Sequence, residues 1–315
     1  MCLTLVAVAQ PLFTEDMWWH LSMGRAYATT GPWLEADPNL FTAAGPPSPA
    51  AWLSSLSLYG VERIAGFQGL RLAHTALVCL ILGFAWSSLF KVSGSRAYAS
   101  SAAALFAAVS AYRLFQLRPD LVSLLGAVLL VWLLVASKST TSRVAVREAA
   151  ADPEAAISRS RIVASVLLMG VWANGHAGFA LGPILIAASI GGLLLARIVG
   201  APFQAEPVGR MRGLSIALVL GLLATFVNPT GAAPHLLYFS AGTATPELSL
   251  VADEWTRIDL FAAPPANLPP SWLSWAIVWC LLAITPIAVA LVLRKTRSDR
   301  KSTRLNSSHD RLSYA

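Results

Sequence analysis

Asp16 and His20 stand four residues apart, a spacing that sets both side chains on one face of a helix. A carboxylate beside an imidazole can take a proton from a hydroxyl, help hold a divalent cation, or simply hydrogen-bond. Glu15 adds a neighbouring carboxylate. The run Thr14-Glu15-Asp16 equally suits a helix start, where short polar side chains cap free N–H groups and acids oppose the dipole. Asp37-Pro38 supplies a further carboxylate and reads just as well as a turn. Arg118, in Arg118-Pro119-Asp120, can grip a phosphate through paired hydrogen bonds or reach out to lipid headgroups. Asn174 and His176 end an apolar run in Trp172-Ala173-Asn174-Gly175-His176. Polar groups at a helix break inside a bundle are costly and mark binding sites, although a structural histidine also fits. Glu254, in Asp253-Glu254-Trp255, either joins a substrate site or lies in a solvated loop.

These residues are separated by long apolar stretches. Hydrophobic residues make up 56% of the 315 and charged ones 12%, and the mean hydropathy is +0.62. The apolar runs lack one-sided patterning: Gly213–Val227 is apolar around nearly its whole circumference, as suits lipid or a bundle centre. The fold expected is therefore all-α, a polytopic transmembrane helical bundle with external juxtamembrane helices. At about 20 residues per span, the candidates are Met1–Phe13 (partial), Gly69–Phe90, Ala97–Tyr112, Leu121–Ala136, Ile162–Trp172, Ala180–Val199, Gly213–Val227 and Trp272–Leu293. That is eight, with seven to nine admissible. Cys2, Cys79 and Cys280 all lie in apolar runs without a Cys-x-x-Cys pair, so neither a zinc site nor a disulfide framework is expected.

Loop charge sets the orientation. One set of loops, from Lys91 and Arg96 through Lys138–Arg161, Arg197–Arg212 and Arg294–Arg297, holds thirteen basic residues against four acids. The alternate set holds six against ten. The first set is read as cytoplasmic, which disperses the net +7 over topology signals and excludes a nucleic-acid surface. Two long segments, about 14–68 and 228–271, then face outside, and the polar residues named above gather there. In the first, Asp16–Thr30 forms a helix whose Trp18 and Trp19 either anchor at the membrane interface or stack on a sugar. Gly31-Pro32 turns the chain, and a second amphipathic helix, roughly Ala51–Ala65, leads into the next span.

Residues 1–298 are expected to form one transmembrane domain whose first span is truncated. The segment Asp299–His309 resembles the translation of a sequencing adapter, so residues 299–315 are set aside as an artefact expected to be disordered.

Glu15-Asp16-Met17-Trp18-Trp19-His20-Leu21, with Gly24-Arg25, Gly31-Pro32 and Asp37-Pro38, resembles the first external loop of bacterial GT-C membrane glycosyltransferases. The later Arg118-Pro119, Trp172–His176, Asn228–Gly231 and Glu254-Trp255 are similar to motifs of a largely uncharacterised branch of that superfamily. The resemblance spans roughly residues 10–260. It implies a multi-pass protein of the bacterial plasma membrane that moves a sugar from a polyprenyl-phosphate donor to a hydroxyl at the external face. By position, Asp16 would be the leading base, with Glu15 beside it and Asp37 secondary. His20, Arg118, Asn174, His176 and Glu254 would be substrate-binding candidates, Arg118 and His176 steadying the phosphate. A divalent cation is admissible. A transporter or flippase of lipid-linked sugars, or a scaffold without catalysis, would use the same apolar bundle differently.

Overall fold

The computed structural model describes residues 16–40, 42, 47–135, 157–199, 208–240, 261, 275–287 and 290–291. Glu15, Glu254, the partial span at 1–13 and the segment 299–315 lie outside the described residues. Among those described, the secondary structure is helical throughout, with no strand.

The chain divides into two units, Met1–Gly191 with Pro207–Arg257, and Gly192–Glu206 with Ile258–Ala315. In the first, α1 (Met17–Thr30) is followed by α2 (Trp52–Ser93), α3 (Arg96–Val109), the single turn α4 (Ala111–Leu114) and α5 (Asp120–Leu130). A π-helical turn, Val131–Val135, prolongs α5. After α6 (Arg159–Gly175) come a 3₁₀ turn (Ala177–Ala180), α7 (Leu181–Val199, which runs past the boundary), α8 (Val208–Thr225) and α9 (Ala233–Ser240). The described part of the second unit includes α10 (Trp275–Ile287), where the Trp279 ring lies 6.3 Å from Trp275 and 5.8 Å from Phe261.

Local chemistry accounts for the breaks. Gly31 ends α1 at φ 79°, a left-handed value open to glycine, and its N–H bonds the Tyr27 carbonyl. Within α2, Gly66 takes φ 60° and ψ −161°, dividing the amphipathic entry segment from the apolar stretch beyond it. The Ser95 hydroxyl accepts the Tyr98 N–H and starts α3.

Packing seats α1 against the entry segment of α2. Met17, Leu21 and Leu58 join Leu70, Val78, Ile81, Leu82, Leu114 and Leu121 in one buried cluster. Gly24 makes the close approach possible, because a Cβ there would fall 2.2 Å from the Ser55 carbonyl oxygen. A second cluster of Trp172, Ala173 and Phe179 forms where α5 and α6 meet. Gly126 of α5 leaves room for the Trp172 indole, 2.6 Å from where a Cβ would stand.

Two helices among the described residues, Trp52–Ser93 and Ala177–Leu195 (which includes the 3₁₀ turn), are long and apolar enough to cross a membrane. Only 28% and 17% of their most apolar stretches are buried, and large side chains such as Leu72, Ile184 and Leu195 point outward. Asp120–Leu134 and Trp275–Ile287 are shorter apolar helices.

Candidate functional site

Asp16 occupies the cap position of α1 but makes no side-chain hydrogen bond to the helix amides. Its carboxylate pairs instead with the guanidinium of Arg118, delivered by the turn that precedes α5. The helix-cap alternative is thus not the one realised by Asp16. Both side chains stay partly open to solvent, 44% for Asp16 and 21% for Arg118. Water and an incoming anion can reach them.

His20 lies one turn along α1 but faces inward. Its Nδ1 is 3.0 Å from the Ser55 hydroxyl, and the residue is 7% exposed. Burial is the main reason its pKa falls to about 4, with the charge of Asp16 opposing and that of Arg118 assisting. At neutral pH the ring carries no charge. His20 therefore sits behind the ion pair as a positioning group, not on the aqueous surface expected for it.

A second polar group gathers where α5 begins and α6 and α8 end. The Trp172 indole N–H donates to Ser123 Oγ at 2.8 Å, and Ser123 Oγ stands 2.7 Å from His176 Nδ1. Gly178 N–H also donates to that nitrogen, at 3.0 Å. Nδ1 must then be an acceptor, so Ser123 donates its hydroxyl proton and the neutral ring carries its own proton on Nε2. The His176 ring is thus oriented by two contacts at Nδ1.

Asn174 is fully engaged by the scaffold. Its Oδ1 accepts the Trp52 indole N–H at 2.8 Å, and its Nδ2 donates to the carbonyls of Gly170 and Val227 at 2.8 and 2.7 Å. Both amide protons are used, which removes Asn174 from the substrate-binding candidates as a donor. Asp37 caps its own turn, accepting the N–H groups of Asn39 and Leu40, and its charge adds to the burial that pushes Tyr27 up to about 12. Neither observation joins Asp37 to Asp16.

The two groups are linked by consecutive residues of α2. Ser54 donates to the Gly175 carbonyl at 2.6 Å, while Ser55 holds His20. Asp16, His20, Arg118, Asn174 and His176 are thereby held at one end of the first unit. Asn228 forms a helix-stop turn with Thr225, Thr230 and Gly231, as its Asn-Pro-x-Gly context suggests. Sequence reasoning passed over Ser55 and Ser123, ordinary helix serines whose importance comes from long-range partners. It also passed over His235, which meets Thr225 Oγ1 at 2.9 Å, stacks on Phe226 and is lowered in pKa by burial.

Among the described residues no group of three or more His, Cys, Asp and Glu side chains is placed to hold a metal ion. A cation at Asp16 would have to displace Arg118. Compared with protein-family models, curated proteins and solved structures, the chain matches none.

Proposed function

We propose that this protein is a GT-C-like membrane glycosyltransferase that moves a sugar from a polyprenyl-phosphate donor to an acceptor hydroxyl at the external face. The observation that carries the reading is the Asp16–Arg118 pair. It brings a candidate base and a candidate phosphate ligand to one solvent-reachable point. Both residues lie in the stretches that resemble the superfamily.

In the reaction, the Asp16 carboxylate accepts the proton of the acceptor hydroxyl, and the oxygen attacks the anomeric carbon. The bond from that carbon to the phosphate oxygen breaks, and the polyprenyl phosphate leaves with the electron pair. Arg118 offsets the charge on the phosphate, with His176 a second candidate for steadying it. The multi-pass membrane setting is part of the same proposal. It is supported by the outward apolar side chains of α2 and α7, which water would not favour and lipid would.

The test uses membranes holding the full chain and a panel of labelled polyprenyl-phosphate sugars. Wild type is expected to form a glycosylated product. Asp16→Asn is expected to lose transfer by a factor of about 10²–10⁴ while still binding donor. Movement of intact donor across the vesicle without product would make the protein a transporter and overturn the reading.

A further inference from the structure

We infer that the Asp16–Arg118 ion pair is a latch opened by a phosphate ester: the phosphate takes the guanidinium, and its arrival frees the carboxylate to act as base. This rests on the reading of Arg118 as the phosphate-binding side chain, and adds how that site is switched.

Three features support it. First, the carboxylate is not engaged by its own helix. At the cap position of α1, with φ −73° and ψ −11°, Asp16 makes no bond to the amides that a capping side chain would satisfy. Arg118 is its one ion-pair partner among the described residues. Second, the pair is exposed enough for exchange, and ion pairs that face water are held weakly. A guanidinium donates to phosphate oxygens in the same forked geometry it offers a carboxylate, so one can replace the other without moving the backbone. Third, the surroundings hold a freed carboxylate nearby without neutralising it. His20, packed against Ser55 behind the pair, is neutral at working pH and offers no second cation.

The consequence is an ordered device. Without a phosphate, the Asp16 charge is compensated by Arg118 and the base is idle. With a phosphate on Arg118, the Asp16 carboxylate is released from its cation and can meet the acceptor hydroxyl. Because the phosphate must first break the pair, Asp16 opposes phosphate binding, and the linkage makes that opposition measurable.

The experiment measures binding to the full chain in maltoside micelles, which contain no phospholipid. Inorganic phosphate is one probe and a short-chain polyprenyl monophosphate the other. Asp16→Asn is expected to bind about tenfold tighter than wild type, and Arg118→Gln at least tenfold weaker. The double variant should match Arg118→Gln alone, because Asp16 acts through Arg118. Asp16→Ser gives a second route should the amide variant fold poorly: it removes the charge with a smaller side chain, and should tighten binding equally. Tightening with both probes makes phosphate alone sufficient; tightening only with the polyprenyl ester assigns the latch to the lipid. Unchanged or weaker binding in both Asp16 variants overturns the latch. So does a double variant that binds more tightly than Arg118→Gln, which would mean plain charge repulsion. Neither readout uses sugar transfer, so the latch and the glycosyltransfer reading fail independently.

Discussion

The charged pair at the start of α1 and the neutral network at the end of α6 lie at the same end of the first unit, yet they are built on opposite principles. Asp16 and Arg118 are partly exposed and joined by one salt bridge, and Asp16 leaves its capping bond unmade. Trp172 and Ser123 are buried, His176 and Asn174 partly so, and each of the four has a hydrogen-bond partner on another element or in the following turn. A group that must exchange partners during a reaction cannot be locked. A group that holds helices in register must be. The contrast leaves the first region open to exchange and the second rigid.

The sharpest way to break this contrast is Trp172→Ala. Removing the indole empties the space against Gly126 and leaves Ser123 without its donor. A loss of about 3–5 kcal/mol in stability is expected, read by thermal unfolding in detergent. A loss below about 1 kcal/mol would show that the network is not a scaffold.

Acid comes next. His20 has its pKa lowered to about 4 from an ordinary 6.5, so the unfolded chain binds more protons between those values. Stability from this group is therefore full above pH 6.5 and is lost as pH falls toward 4, on the order of 3 kcal/mol in all. His20→Gln should flatten that part of the profile. An unchanged slope would remove His20 as its source.

Asn174→Ala is expected to cost about 1–3 kcal/mol, because the Trp52 indole N–H and the Val227 carbonyl lose their partner together. Equal loss of transfer activity and of folded protein would keep Asn174 a scaffold residue. Activity lost from a fully folded variant would return it to the site.

The smallest effect on stability is expected from Asp16→Ser. Losing an exposed ion pair costs about 0–1 kcal/mol, so unfolding should be nearly unchanged or slightly lowered. The same substitution should abolish transfer. A residue that matters little to stability and decisively to activity is what the charged region predicts, and the reverse is what the neutral region predicts.

Much of this protein is legible in one dimension. The helical segments follow from apolar runs. The change from an amphipathic stretch to an apolar one near residue 66 marks where Gly66 breaks α2, and Gly31 and Asn228 announce their turns by residue type. The roles of the polar residues were less legible. Trp172-Ala173-Asn174-Gly175-His176 reads as a functional motif because polar groups end an apolar helix. The structure engages all three polar members, Trp172 with Ser123, Asn174 with Trp52 and His176 with Gly178. Asp16 and His20 share a helical register, but one faces water and the other is sealed under α2.

What the sequence by itself determined was therefore the material of the protein: helices, their breaks, the apolar surfaces, and the short list of side chains with chemical capacity. These depend on local periodicity and on the conformational limits of glycine and proline, which act over a few residues. Which carboxylate meets an arginine, which amide is already satisfied and which histidine is neutral depended on partners brought from far along the chain. Arg118 for Asp16, Trp52 for Asn174 and Ser55 for His20 meet only when the helices pack. Hydrogen bonds and ion pairs act over a few ångströms in space, so only the tertiary structure could decide them.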